Sequence, residues 1–190
     1  MRSNISRHAQ FDGMAMCARV ESVVKLAGKA LTINHTEPEE VIMPPIPIRP
    51  GVYKIHAHII GPGALMTATE YAVKYGAPVI VDRMNPLPIE QEWAIEPAEP
   101  VPGSPYAVRL ATQEAAGLVT AEDKLWVNNV PRADWAKFTF EAVLGGVKIL
   151  SEKGLAMRAG YRGSQIEFTP PQPEYQQTWT LEFVRPIDED

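Results

Sequence analysis

Cys17 is the only cysteine of the chain, so no disulfide can form within it and no cysteine-rich zinc site can be assembled. Long apolar runs are missing as well: nothing approaches the roughly 18 consecutive apolar residues of a membrane-spanning helix. Arg2 and Arg7 precede the stretch from Phe11 to Val24, but Asp12, Arg19 and Glu21 interrupt it, so no signal-peptide hydrophobic region forms. A cytoplasmic location is the expectation. Basic residues are outnumbered, 18 Lys and Arg against 23 Asp and Glu, for a net charge of -5. A nucleic-acid partner needs clustered cations to neutralise phosphates, and this balance argues against one.

Catalytic signatures are equally scarce. His8, His35, His56 and His58 are the only histidines, and none stands in a metal-binding spacing such as HExxH. His56 and His58, two apart, would share one strand face without an evident third ligand, which reads as ordinary strand histidines. No GxSxG, GxGxxG or phosphate loop occurs, and Ser104, Ser151 and Ser164 stand in turn contexts. The carboxylate pairs Glu39–Glu40 and Glu122–Asp123 fall in loops, where solvated charge accounts for them. The chain reads as a protein that is not an enzyme and holds no metal or cofactor.

What is present is an ordinary globular composition, with 45% hydrophobic and 22% charged residues in 190, enough for one domain and an additional arm. Met16, Val20, Val23, Val24, Ala27 and Leu31 are spaced for a short helix in the arm. Pro38, Pro44, Pro45, Pro47 and Pro50 then favour an extended spacer, because proline fixes φ and lacks an N–H. The expected division is therefore an N-terminal extension over 1–50 and a folded domain over 51–190.

Beyond Pro50 the helical period vanishes, and short apolar runs alternate with Gly, Pro and Asn clusters, the pattern of many short strands. Three openings resemble one another: Gly51-Val52-Tyr53-Lys54-Ile55, Ser104-Pro105-Tyr106-Ala107-Val108 and Gly145-Gly146-Val147-Lys148-Ile149. Three closings do too: Trp93-Ala94-Ile95-Glu96, Phe138-Thr139-Phe140-Glu141 and Trp179-Thr180-Leu181-Glu182. Two further strand candidates lie between each opening and closing, at 65–67 and 78–81, 118–120 and 125–127, and 155–158 and 166–168. Four strands in each of three units predict a twelve-stranded all-β fold of pseudo-three-fold symmetry, a β-trefoil. Alternation places Tyr53, Ile55, Trp93 and Ile95 on one core-facing side.

Gln91-Glu92-Trp93 and Gln177-Thr178-Trp179 fit the Gln-x-Trp pattern of ricin-type carbohydrate-binding lectins, although the second unit lacks the triplet. The Gly-Val-Tyr-Lys-Ile opening, the Tyr-x-Val at Tyr106 and the Trp-Thr-Leu-Glu ending resemble the mushroom β-trefoil protease inhibitors, both cospin-like serine protease inhibitors and mycocypins, over 51–184. That resemblance implies a fungal, monomeric inhibitor whose loops enter the active site of an endopeptidase, serine type favoured and cysteine type as the alternative. In the cospin-like case the inserted loop implied is 68–77, with Lys74 entering the specificity pocket and Tyr71 and Tyr75 as contacts. In the mycocypin case the loops after the first and third strands, with Gly61, Gly63, Asn85 and Pro86, occlude a cysteine-protease cleft. The Asn expected after the fifth strand for asparaginyl endopeptidase inhibition is absent from 112–116; Asn128 and Asn129 come after the expected seventh strand, as a tight turn. The remaining readings are a ricin-type lectin and a non-catalytic trefoil interaction module.

Overall fold

In a computed structural model the residues described are 44–59, 63–69, 76–83 and 91–187. The helix expected over 14–31 lies outside them.

Among the described residues twelve strands follow one another: β1 Gly51–Ala57, β2 Ala64–Ala68, β3 Ala77–Arg83, β4 Trp93–Pro97, β5 Tyr106–Leu110, β6 Ala116–Ala121, β7 Lys124–Asn129, β8 Lys137–Val143, β9 Gly146–Ser151, β10 Ala156–Arg158, β11 Glu167–Thr169 and β12 Trp179–Arg185. All pairings are antiparallel. Following them from β1 through β4, β5, β8, β9 and β12 returns to β1, so six strands close into a ring. The other six form three hairpins, β2–β3, β6–β7 and β10–β11. These hairpins are tied to one another by β3–β7, by β7–β11 and by a bridge from Ile80 to Gln165. A closed six-stranded barrel capped by a triangle of hairpins is the β-trefoil arrangement. Asn128 and Asn129 are the last two residues of β7, paired with Gly117 and Ala116, and not the turn expected beyond it; β6 is long enough to carry the ladder to that point.

The core explains why these residues make strands. Tyr53, Ile55, Trp93, Ile95, Phe138, Phe140, Val147, Ile149 and Trp179 alternate along the ring strands and are all buried in one cluster. Met66, Val79 and Val81, Leu118, Leu125 and Val127, and Met157, Ile166 and Phe168 enter the same cluster from the hairpins. Each unit therefore contributes to one shared interior, which a single three- or four-stranded unit could not enclose alone. Glu122 and Asp123, both at positive φ, make the two-residue turn of the β6–β7 hairpin; this is the twist a tight hairpin requires.

Residues 44–50 form a strap along the uncapped end of the barrel. Pro45 bridges to Glu141 of β8, and the Ile46 N–H donates to the Phe140 carbonyl at 2.7 Å. The Ile48 N–H donates to the Tyr106 hydroxyl at 2.7 Å, and the Tyr53 hydroxyl donates to the Arg49 carbonyl at 2.6 Å. Ile46 and Ile48 pack against the core cluster.

Candidate functional site

The connections leaving the barrel are the parts of a trefoil free to vary, and the body fixes where each one starts. The β2–β3 hairpin runs in register up to Ala68 and Val79. One step further, both the N–H and the hydroxyl of Thr69 donate to the Pro78 carbonyl, at 3.4 and 3.1 Å. On the returning side Gly76 has φ +80°, and a Cβ there would lie 3.5 Å from the Asn128 side chain. Glycine meets that backbone conformation without the steric penalty a side chain brings. The feet of the connection are thus held between Thr69 and Gly76. Tyr71, Lys74 and Tyr75 fall between those feet and lie outside the described residues, as do Gly61, Asn85 and Pro86. Gly63 is described: it is exposed, with φ +65°, immediately before β2.

The two Gln-x-Trp triplets are built alike, and their polar atoms face inward. Trp93 Nε1 donates to the Met66 carbonyl at 2.9 Å, and Trp179 Nε1 to the Met157 carbonyl at 3.0 Å. Gln91 Nε2 donates to Thr67 Oγ1 at 2.9 Å and to the Arg83 carbonyl at 2.6 Å. Gln177 Nε2 donates to Thr169 Oγ1 and to the Pro170 carbonyl, each at 2.9 Å, while its Oε1 accepts from the Gln172 N–H at 2.7 Å. Each triplet therefore ties the end of one hairpin to the start of the next ring strand. All four side chains are buried, so the motif serves the scaffold.

The middle unit solves the same problem differently. Phe138 takes the place of the tryptophan, and Trp135 lies flat on Gly117, where a Cβ would come within 2.3 Å of the indole. Trp135 Nε1 donates to the Val130 carbonyl at 3.0 Å, and the Arg132 guanidinium stands 5.7 Å above the ring. Beside it opens a groove of about 630 Å³ lined by Glu96, Arg109, Glu114, Asn129, Arg132 and Trp135. Glu96 lies between two guanidinia, Arg132 at 2.8 Å and Arg109 at 3.8 Å. The Glu96 carboxylate is thereby held between two cations of the same groove. The contact of Trp135 with Gly117 had no signature in the sequence, since it depends on a residue of the β7–β8 connection meeting strand β6.

His56 of β1 and His58 just beyond its end face β12. His56 Nε2 lies 2.7 Å from Glu182 Oε2, and His58 Nε2 2.7 Å from Thr180 Oγ1. Among the described residues, no three of His, Cys, Asp and Glu come together as metal ligands. Near the strap, burial raises the pKa of the Tyr53 hydroxyl above its ordinary 10.0, with Tyr106 adding to the rise and Arg49 opposing it.

No protein-family model matches the chain, and no curated protein matches its sequence. Solved structures do resemble it. Cry35Ab1 superimposes with a TM-score of 0.60 at 19% identity over 76% of this chain, which spans 38% of that protein's length. A proteinase inhibitor from Coprinopsis cinerea gives 0.57 at 14% identity, covering 73% of this chain and 100% of the inhibitor. The Macrolepiota procera ricin B-like lectin, solved with lactose, gives 0.53 at 15% identity over 73% of this chain and 100% of the lectin. At such identities the likeness is one of architecture: proteins of different functions share this fold, and the chain is a β-trefoil.

Proposed function

We propose that the chain is a non-catalytic trefoil that inhibits an endopeptidase, of the serine class, by inserting the connection between β2 and β3 into the protease cleft. The observation that supports this reading is the anchoring of that connection. Thr69 is bonded twice to Pro78, and Gly76 returns at φ +80° beside Asn128, so the connection starts and ends at defined positions. A loop held in place before binding loses less entropy on entering a cleft. Lys74, the one basic residue of 70–75, supplies the cation that a trypsin-type pocket with a buried carboxylate accepts, and Tyr71 and Tyr75 flank it. The Coprinopsis cinerea protein, of similar architecture, is a proteinase inhibitor, and it is covered completely by the similarity.

Carbohydrate binding is the competing reading, supported by the lactose-bound lectin among the structural neighbours. Against it, both Gln-x-Trp triplets are engaged within the scaffold, and the middle unit carries none.

Purified protein assayed against trypsin, chymotrypsin, subtilisin and papain separates these readings. Inhibition of trypsin that falls at least a hundred-fold in Lys74→Glu is the expected outcome. Inhibition of papain alone would transfer the site to the loops of Gly61, Gly63, Asn85 and Pro86. No inhibition of any of the four, together with binding to a glycan array, would establish the lectin instead.

A further inference from the structure

The strap occupies an edge that exists in more than one copy. Tyr106 of β5 pairs with Phe138, and β8 then runs on past the start of β5; the strap lies along that overhang, with Pro45 opposite Glu141 and Ile46 bonded to Phe140. One unit later the same geometry recurs. Val147 of β9 pairs with Trp179, and β12 runs on past the start of β9 as far as Arg185. The two sequences superimpose residue for residue, Phe138-Thr139-Phe140-Glu141 on Trp179-Thr180-Leu181-Glu182. Leu181 is thus the counterpart of Phe140, the residue that accepts the strap.

Along this second overhang, β12 pairs only with β1 among the described residues. The Thr178 carbonyl accepts from the His58 N–H on the β1 side. Alternation in an antiparallel ladder therefore turns Trp179 and Leu181 to the opposite side, where the Leu181 carbonyl and N–H point outward. A depression of about 340 Å³ lies there, lined by Pro47, Ile48, Gly145, Gly146, Trp179 and Leu181. Its floor is kept low by Gly146, where a Cβ would come within 2.3 Å of the Trp179 carbonyl oxygen. Leu144, next in sequence to the lining residue Gly145, is fully exposed, and Phe183, further along β12, is 42% exposed, although both are large apolar side chains.

We propose that this edge of β12 binds an extended segment of a partner protein by strand addition. The partner chemistry is that of the strap itself: an isoleucine-sized side chain for the depression, an N–H on the same residue for the Leu181 carbonyl, and prolines on either side. Proline suits the flanking positions because their N–H groups would point away from the edge, and because it fixes an extended backbone. The proposal is independent of protease inhibition, since it uses the uncapped end of the barrel.

The test is titration of the isotope-labelled full-length protein with the synthetic heptapeptide Pro-Pro-Ile-Pro-Ile-Arg-Pro, the sequence of residues 44–50. Saturable shifts of the amide signals of 145–147 and 180–183 are expected. N-methylation of the first isoleucine, which removes the donor without touching the protein, should weaken binding about ten-fold, as the loss of one backbone hydrogen bond does. Shifts confined to Tyr106 and 138–141 would mean that the peptide only exchanges with the strap, and would overturn the proposal. So would equal binding of the N-methylated peptide, or no saturable shift with the peptide in millimolar excess.

Discussion

At the scale of single residues, side chains of one chemical type hold unlike positions, as the tryptophans do. Trp93 and Trp179 are fully buried and their indole N–H groups reach a carbonyl two strands away. Trp126 is partly buried, and its Nε1 is enclosed without a hydrogen-bond partner. A buried donor left unmade costs roughly 1–3 kcal/mol, so removing it returns part of what the smaller ring gives up. Trp93→Phe is expected to lose about 2–4 kcal/mol from the missing bond and the vacated volume together. Trp126→Phe should lose no more than about 1 kcal/mol. Urea denaturation of the two variants checks the difference; equal losses would contradict it.

The residue scale is also where the sequence was least legible. Gln-x-Trp pointed to sugar binding as readily as to packing, because a triplet does not reveal which way its polar atoms face. The partners of Gln91 and Gln177, on the hairpins ahead of them, show that these polar atoms face the scaffold.

Elements were read more faithfully. The three openings and three closings correspond to β1, β5 and β9 and to β4, β8 and β12, with ends shifted by up to three residues. Their period-two alternation reports burial on one face, and that is a local signal. Asn128 and Asn129 were read as a turn because asparagine favours turns, yet pairing with β6 retains them in the strand. Of the candidate inhibitory residues only Gly63 belongs to the described structure, so the sequence carried that part of the site without a structural counterpart.

The strap gives a prediction at this scale. Burial raises the Tyr53 pKa, so the protonated hydroxyl is favoured in the fold. Its contribution is complete below the unfolded value of about 10 and is lost as pH rises through the higher folded value. Stability of the natural protein should therefore decline across that alkaline range more steeply than that of Tyr53→Phe. Urea midpoints measured from pH 8 to 11 test this, and parallel curves would refute it.

For the whole molecule, the single interior makes the units interdependent. Residues of all three converge on one cluster, and no unit holds a core of its own. Unfolding should consequently be one cooperative event. Variants that retain one tryptophan each, Trp93, Trp135 or Trp179, report on the first, second and third unit, and their urea transitions are expected to share one midpoint relative to each variant's circular dichroism. A middle unit that melts earlier, by its different Trp135–Gly117 packing, would break that expectation.

The ring closes through its first and last strands, with Val52 opposite Arg185 and His56 bonded to Glu182, 126 positions further along. During synthesis β1 is the first of the twelve strands to be made and β12 the last, so the other eleven must be delivered before the barrel can shut. Until then β1 presents an unpaired edge, the form in which strands most readily join the wrong neighbour. Closure of so long a loop also places this protein among slowly folding topologies. The pairing that seals the mature barrel is thus the last available to the nascent one, and its delay defines the interval in which the chain depends on protection from other chains.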